Sequence, residues 1–250
     1  MQGDRRPSGR VAATVTDPTR TRLHGRLVAI GLALATVGVG VVLGVVLGLL
    51  VAVVALSGST DAGLIALVVA SEAAYLLVGV GYLVGLSDGV PLARPSVRQV
   101  GAAALAGVAL VVLGQAVLWL IPGAGIADVS SALGQSGVAP STLLVLAAVS
   151  LAVVGPAEEV LFRGAVQGTL RLAFGRWPAV LGASALFTAV HAGALVGQPL
   201  VPGLAALAVI GLVAVVLGVA FECTGSLAVP IVIHGLYDCL LLVGAYLLAT

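Results

Sequence analysis

Apolar residues do not alternate along this chain. They come in continuous runs, broken by short stretches rich in Gly, Pro, Ser, Asp and Arg. The runs cover approximately residues 27–56, 62–86, 99–121, 141–170, 178–197, 203–221 and 226–249. Runs of about 20 apolar residues match the length an α-helix needs to cross a hydrocarbon core. Barrel strands would instead show alternating polarity. The pattern predicts an all-α fold, a polytopic transmembrane helical bundle of about seven spans.

The interruptions divide the chain. Residues 1–26 lack apolar periodicity and are rich in Arg, Thr, Pro and Gly; they read as a disordered Arg-rich tail. Residues 27–140 hold the first three runs and a Gly/Ser/Pro-rich loop at 122–140. Residues 141–250 hold the remaining four. The first run is far longer than the core of a cleavable signal, so it is expected to remain as a span. Frequent Gly suits helices whose backbones approach closely in lipid.

Composition sharpens the assignment. Hydrophobic residues make up 60% of the chain and charged residues 8%, against about 25% charged in soluble domains. So few charges cannot cover a water-exposed surface, which excludes a soluble enzyme, a nucleic-acid binder and a disordered chain. The net charge of +1 is uninformative, but the positions are not. Arg is dense in the tail, absent at 57–61, present at 87–98 (Arg94, Arg98), absent at 122–140, present at 171–177 (Arg171, Arg176) and absent at 198–202. This alternation predicts a multi-pass cell-membrane protein with a cytoplasmic N-terminus and the 122–140 loop outside. The connection near Glu222 breaks the pattern, because it should be cytoplasmic yet carries no Arg. Cys223 and Cys239 do not form a disulfide framework and read as small apolar side chains.

Five charges lie inside apolar runs: Glu72, Glu158, Glu159, Arg163 and Asp238. His191 and His234 lie there too. Each ionisable group at mid-bilayer costs at least ~2.5–3.5 kcal/mol, which points to a shared polar site. Counted from the Arg-bearing ends of their helices, the groups of the last four runs sit roughly 12–20 Å deep, predicting one layer in the cytoplasmic half. Glu159 and Arg163 share a helix face at i,i+4 and can pair. Glu158 points about 100° away, so one carboxylate can be held while the other faces a cavity. His234 and Asp238 are also i,i+4, as are Phe187 and His191, whose ring can wall the imidazole. Pro156 removes a backbone donor beside this cluster and predicts a kink.

EEVLFR (158–163), FTAVH (187–191) and HGLYD (234–238), in this order on successive runs, resemble EExxxR, FxxxH and HxxxN. These motifs resemble those of the CPBP intramembrane proteases, also called the ABI or type II CAAX prenyl protease family, over roughly residues 141–250. The resemblance implies an endopeptidase acting on a membrane-associated protein or peptide. In it, Glu158 and His191 activate a water, His234 and residue 238 stabilise the oxyanion, and Glu159 and Arg163 shape the site. It leaves the cofactor open between none and a divalent metal such as zinc, for which Glu158, His191 and His234 are the candidate ligands. Asp238 departs from the family's Asn. An ionised carboxylate only accepts hydrogen bonds, so Asp238 is expected to be protonated, to orient a cationic His234, or to ligate a metal.

Plainer readings stand beside these. Glu159–Arg163 also fits a helix staple, and Phe187 fits simple packing. Glu72 belongs to no motif and reads as structural. His24 carries no specific role. Cys239 adjoins Asp238 but has no base placed beside it, so it is not expected to act as a nucleophile. The competing functions are a catalytically silent scaffold or immunity-type protein of the same fold, and a proton-coupled transporter. The expected partners are the lipid bilayer and a peptide or protein substrate, with no nucleic acid.

Overall fold

The computed structural model describes residues 18–55, 60–87, 93–122, 138–195 and 199–250. These form seven helical rods and no β-strand. They are α1 (Pro18–Ala55), α2 (Thr60–Leu86), α3 (Val97–Trp119), α4 (Pro140–Phe174), α5 (Arg176–His191), α6 (Leu200–Thr224) and α7 (Ala228–Ala249). All but α5 are long and apolar enough to cross a membrane. α5 has 16 residues and is prolonged by a 3₁₀ turn at Ala192–Leu195. Large apolar side chains such as Leu49, Leu77, Val84 and Leu105 face outward. An exterior of this kind is stable against lipid rather than water. The chain is a helical membrane bundle, with rods where the apolar runs predict them.

One boundary differs. α1 starts at Pro18, so residues 18–26, expected in the disordered tail, are helical; residues 1–17 lie outside the described residues. Proline is preorganised for a first helical position. Once the apolar run has nucleated a helix, each added residue brings a hydrogen bond. Most of the 122–140 loop also lies outside the described residues.

The helix starts have local causes. Ser96 and Gln99 form a reciprocal capping box at α3, satisfying two otherwise unpaired donors. Pro140 opens α4, where Asp61 of α2 accepts from Ala139 N at 2.9 Å and Thr142 Oγ1 at 2.7 Å. Gly175 separates α4 from α5 with φ 82°, a conformation that costs other residues strain.

α4 is the central rod and touches α1, α2, α5, α6 and α7. Leu161, Phe162, Arg163, Val166 and Gln167 are completely buried within it. The perturbation expected at Pro156 takes the form of two π-helical stretches, Ser150–Val154 and Val160–Gln167, around Gly155–Glu159. Pro156 offers no N–H to the ladder, and the Gly155 N–H reaches back to Ser150 O in a wide turn. Such wide turns often accompany functional sites. Beside them, Gly155 faces Gly235 of α7. A Cβ on Gly155 would stand 3.2 Å from Gly235 N and Ile231 O. Only two glycines let these backbones come so near, and the approach sets His234 against α4.

One end of the bundle collects the arginines. Arg171 and Arg176 pair with Glu222 at 3.3 and 3.5 Å, and Gln167 donates to the same carboxylate at 3.1 Å. Arg26 lies over the Phe174 ring, and Ser226 Oγ donates to Ala93 O. The connection near Glu222, which lacks its own Arg, therefore lies beside the two that α4 and α5 supply.

Candidate active site

The motif residues of α4, α5 and α7 converge. Glu158 is 5% exposed and borders a cavity of about 430 Å³ that His191, His234, Asp238 and Phe187 also line. Glu159, one residue on, turns away and is 0% exposed. The sequence expectation that one carboxylate is held while its neighbour faces a cavity matches this arrangement.

Glu159 ties two partners. Its Oε2 lies 3.3 Å from Arg163 Nε, and its Oε1 lies 2.9 Å from His234 Nδ1. Arg163 is itself enclosed. It donates Nη2 to Ala214 O at 3.2 Å and stands 4.9 Å from the centroid of the Phe187 ring. The carboxylate, guanidinium and imidazole thus form one buried string from α4 to α7. Such a string fixes the ring plane and assigns the proton on Nδ1 to Glu159.

His191 is held the same way by different means. It is the last residue of α5, and its Nδ1 lies 2.8 Å from Phe187 O. A carbonyl only accepts, so Nδ1 carries the proton and Nε2 is turned toward Glu158. Phe187 stacks on the His191 ring at 4.6 Å and meets the His234 ring edge-on at 5.8 Å. It is both packing and the wall between the two imidazoles.

The two Nε2 atoms flank one carboxylate. His191 Nε2 is 3.9 Å from Glu158 Oε1, and His234 Nε2 is 3.6 Å from Glu158 Oε2. These gaps exceed hydrogen-bond distance, so neither imidazole is hydrogen-bonded to Glu158. Asp238 Oδ2 is 3.4 Å from His234 Nε2. His234 therefore has Glu159 on one nitrogen and two carboxylates near the other.

Glu158 lies roughly 24 Å from the Phe174 end of α4 and roughly 27 Å from its Pro140 end. His191 ends α5 about 22 Å from Arg176. The layer is near the middle of the rods, slightly nearer the arginine-bearing end. The cavity continues from it along Gln115 and Leu118 of α3, Ser150 of α4, Ala206 of α6 and Ala245 of α7, toward the end away from the arginines. Toward the arginines it meets fully buried Leu161, Phe162, Arg163 and Gln167.

The donor types suit zinc, and each imidazole is anchored at Nδ1 as ligating imidazoles commonly are. Among the described residues, however, no group of three or more His, Cys, Asp or Glu is arranged to hold a metal ion. Glu158, His191 and His234 are the residues whose Oε and Nε2 atoms would face such an ion, and the chemistry that follows uses their side chains alone.

Several contributors escape the motifs. Gln115, Ser150 and Tyr237 line the cavity. Gln167, completely buried, bridges Gly218 O and Glu222. Glu72 of α2 is buried, its Oε2 has no hydrogen-bond partner, and it interacts electrostatically with Glu158, His234 and Asp238. The only signal for Glu72 in sequence is its cost in an apolar run.

The chain is thus a helical membrane bundle whose polar site, buried Glu158 and His234 with partly exposed His191, lies among its helices. Residues 140–240 match the family model described as type II CAAX prenyl endopeptidase Rce1-like, and this segment is similar to that family. All three motifs fall within it. No curated protein and no solved structure matches the chain.

Proposed function

We propose that this chain is an intramembrane endopeptidase that hydrolyses a peptide bond of a membrane-associated protein or peptide. The observation that carries the reading is the pair of imidazole Nε2 atoms at 3.6 and 3.9 Å on either side of the Glu158 carboxylate, all on one cavity.

The chemistry follows from the proton positions. A water between Glu158 and His191 donates one hydrogen to the carboxylate and the other to the Nε2 lone pair. Glu158 takes a proton as the water oxygen attacks the peptide carbon. The resulting oxyanion needs a donor. His234 protonated on both nitrogens gives Nδ1–H to Glu159 and presents Nε2–H to the cavity. Its nitrogen is 3.4 Å from Asp238 Oδ2 and 3.6 Å from Glu158 Oε2, longer than a settled hydrogen bond, so an arriving oxyanion can take the hydrogen. Glu158 then passes its proton to the amide nitrogen, the C–N bond breaks, and an acid and an amine leave. Asp238 serves here as the counter-charge of His234, a role its carboxylate fills where an Asn would donate directly.

The Arg distribution supports a cytoplasmic N-terminus in a cell membrane. With that orientation the cavity mouth faces away from the cytoplasm.

Cleavage of a membrane peptide by purified protein tests the reading. Glu158→Ala and His191→Ala should each lower kcat by about 100-fold or more. Survival of cleavage in both variants would overturn the mechanism. Metal analysis of the same active preparation should find no stoichiometric divalent ion; a one-to-one zinc content lost in the Glu158→Ala variant would replace the side-chain mechanism with a metal one.

A further inference from the structure

A second cavity, of about 1050 Å³, opens at the arginine-bearing end between α1, α2 and α4. It shares no lining residue with the first. Arg22 and Arg26 of α1 and Arg171 of α4 line it. Among the described residues the carboxylate paired at this end is Glu222, already engaged by Arg171 and Arg176. Arg22 and Arg26 therefore bring positive charge that Glu222 does not balance. Arg26 lies 5.6 Å from the Phe174 ring centroid, which directs a long side chain across the opening.

The rest of the cavity is apolar. Leu32, Leu83 and Phe221 line it, and Gly168 leaves its floor open, since a Cβ there would meet nothing within 4 Å. A hydroxyl pair, Tyr82 and Thr169 at 2.6 Å, sits in the same wall. Guanidiniums at the level where the helices leave the hydrocarbon, above an apolar recess, match an anion attached to a hydrocarbon chain. Guanidinium forks suit phosphate oxygens, and basic pockets between spanning helices favour anionic head groups.

We propose that this cavity is a binding site for an anionic phospholipid, its phosphate held by Arg22, Arg26 and Arg171 and an acyl chain lying against Leu32 and Gly168. The site is separate from the proposed hydrolytic centre and does not depend on it.

The test is native mass spectrometry of the full detergent-purified chain with equimolar phosphatidylglycerol and phosphatidylcholine, and separately with inorganic phosphate. Phosphatidylglycerol should be retained in preference to phosphatidylcholine. The double substitution Arg22→Gln, Arg26→Gln leaves the Glu222 pairs intact and should lower that retention by roughly an order of magnitude. Gly168→Phe keeps every charge but fills the recess, and should also lower it. Equal retention of both lipids, or unchanged phosphatidylglycerol retention in the arginine variant, would overturn the proposal. Inorganic phosphate displacing phosphatidylglycerol at equal concentration would overturn the lipid as occupant. A variant that no longer elutes as a single folded species is replaced by the single substitution Arg22→Gln, for which a several-fold fall is expected.

Discussion

Glu159 shows how much a residue can do without touching substrate. It orients His234 through Nδ1 and holds Arg163, yet it faces away from the cavity. Glu159→Gln should keep the fold and one acceptor for His234 while losing the charge. Partners of this kind are typically worth 10–100-fold in activity, so kcat should fall by about that factor with KM little changed. A KM effect of the same size would make Glu159 a substrate contact instead. Asp238→Asn gives the complementary measurement. An amide there can donate to an oxyanion but cannot balance His234, so activity should stay within about tenfold of the original. A loss as deep as that of Glu158→Ala would assign the carboxylate a larger part. The residues that bear charge were legible because a charge in an apolar run is costly. Gln115, Ser150 and Tyr237 were not, because a neutral polar or aromatic side chain adds little cost and blends into the run. That Glu72 stands near Glu158 depends on how α2 packs against α4, which spacing along the chain does not encode.

At the level of elements, run length alone located the seven rods, six of which reach the length that crossing hydrocarbon requires. It did not reveal that α4 contains π-helical stretches, or that α4 and α7 meet through Gly155 and Gly235. Pro156 marked the place of the perturbation but not its form. The glycine contact is the element-scale feature that the site depends on most. Gly155→Leu must push α7 away, since the position a Cβ would take lies 3.2 Å from α7 backbone. Overpacking of this kind costs about 1–3 kcal/mol, so thermal unfolding in detergent should shift downward. Cleavage should fall further than stability does, because the Glu159–His234 hydrogen bond spans the same gap. Unchanged activity in a destabilised protein would separate that contact from catalysis.

For the whole molecule, the arginine-bearing end holds one cavity, and the second runs from Glu158 toward the other end. With Cys223 and Cys239 replaced by Ala, Pro199→Cys should react with a membrane-impermeant maleimide in intact cells, whereas Gly175→Cys should react only after permeabilisation. The reverse result would invert the proposed orientation. Whatever the orientation, the cavity beside Glu158 is bounded toward the arginine-bearing end. Its floor is the completely buried layer of Leu161, Phe162, Arg163 and Gln167, with the guanidinium fixed by Glu159 and Ala214 O. A proton-conducting path through the bundle would have to cross that layer of apolar and ion-paired side chains.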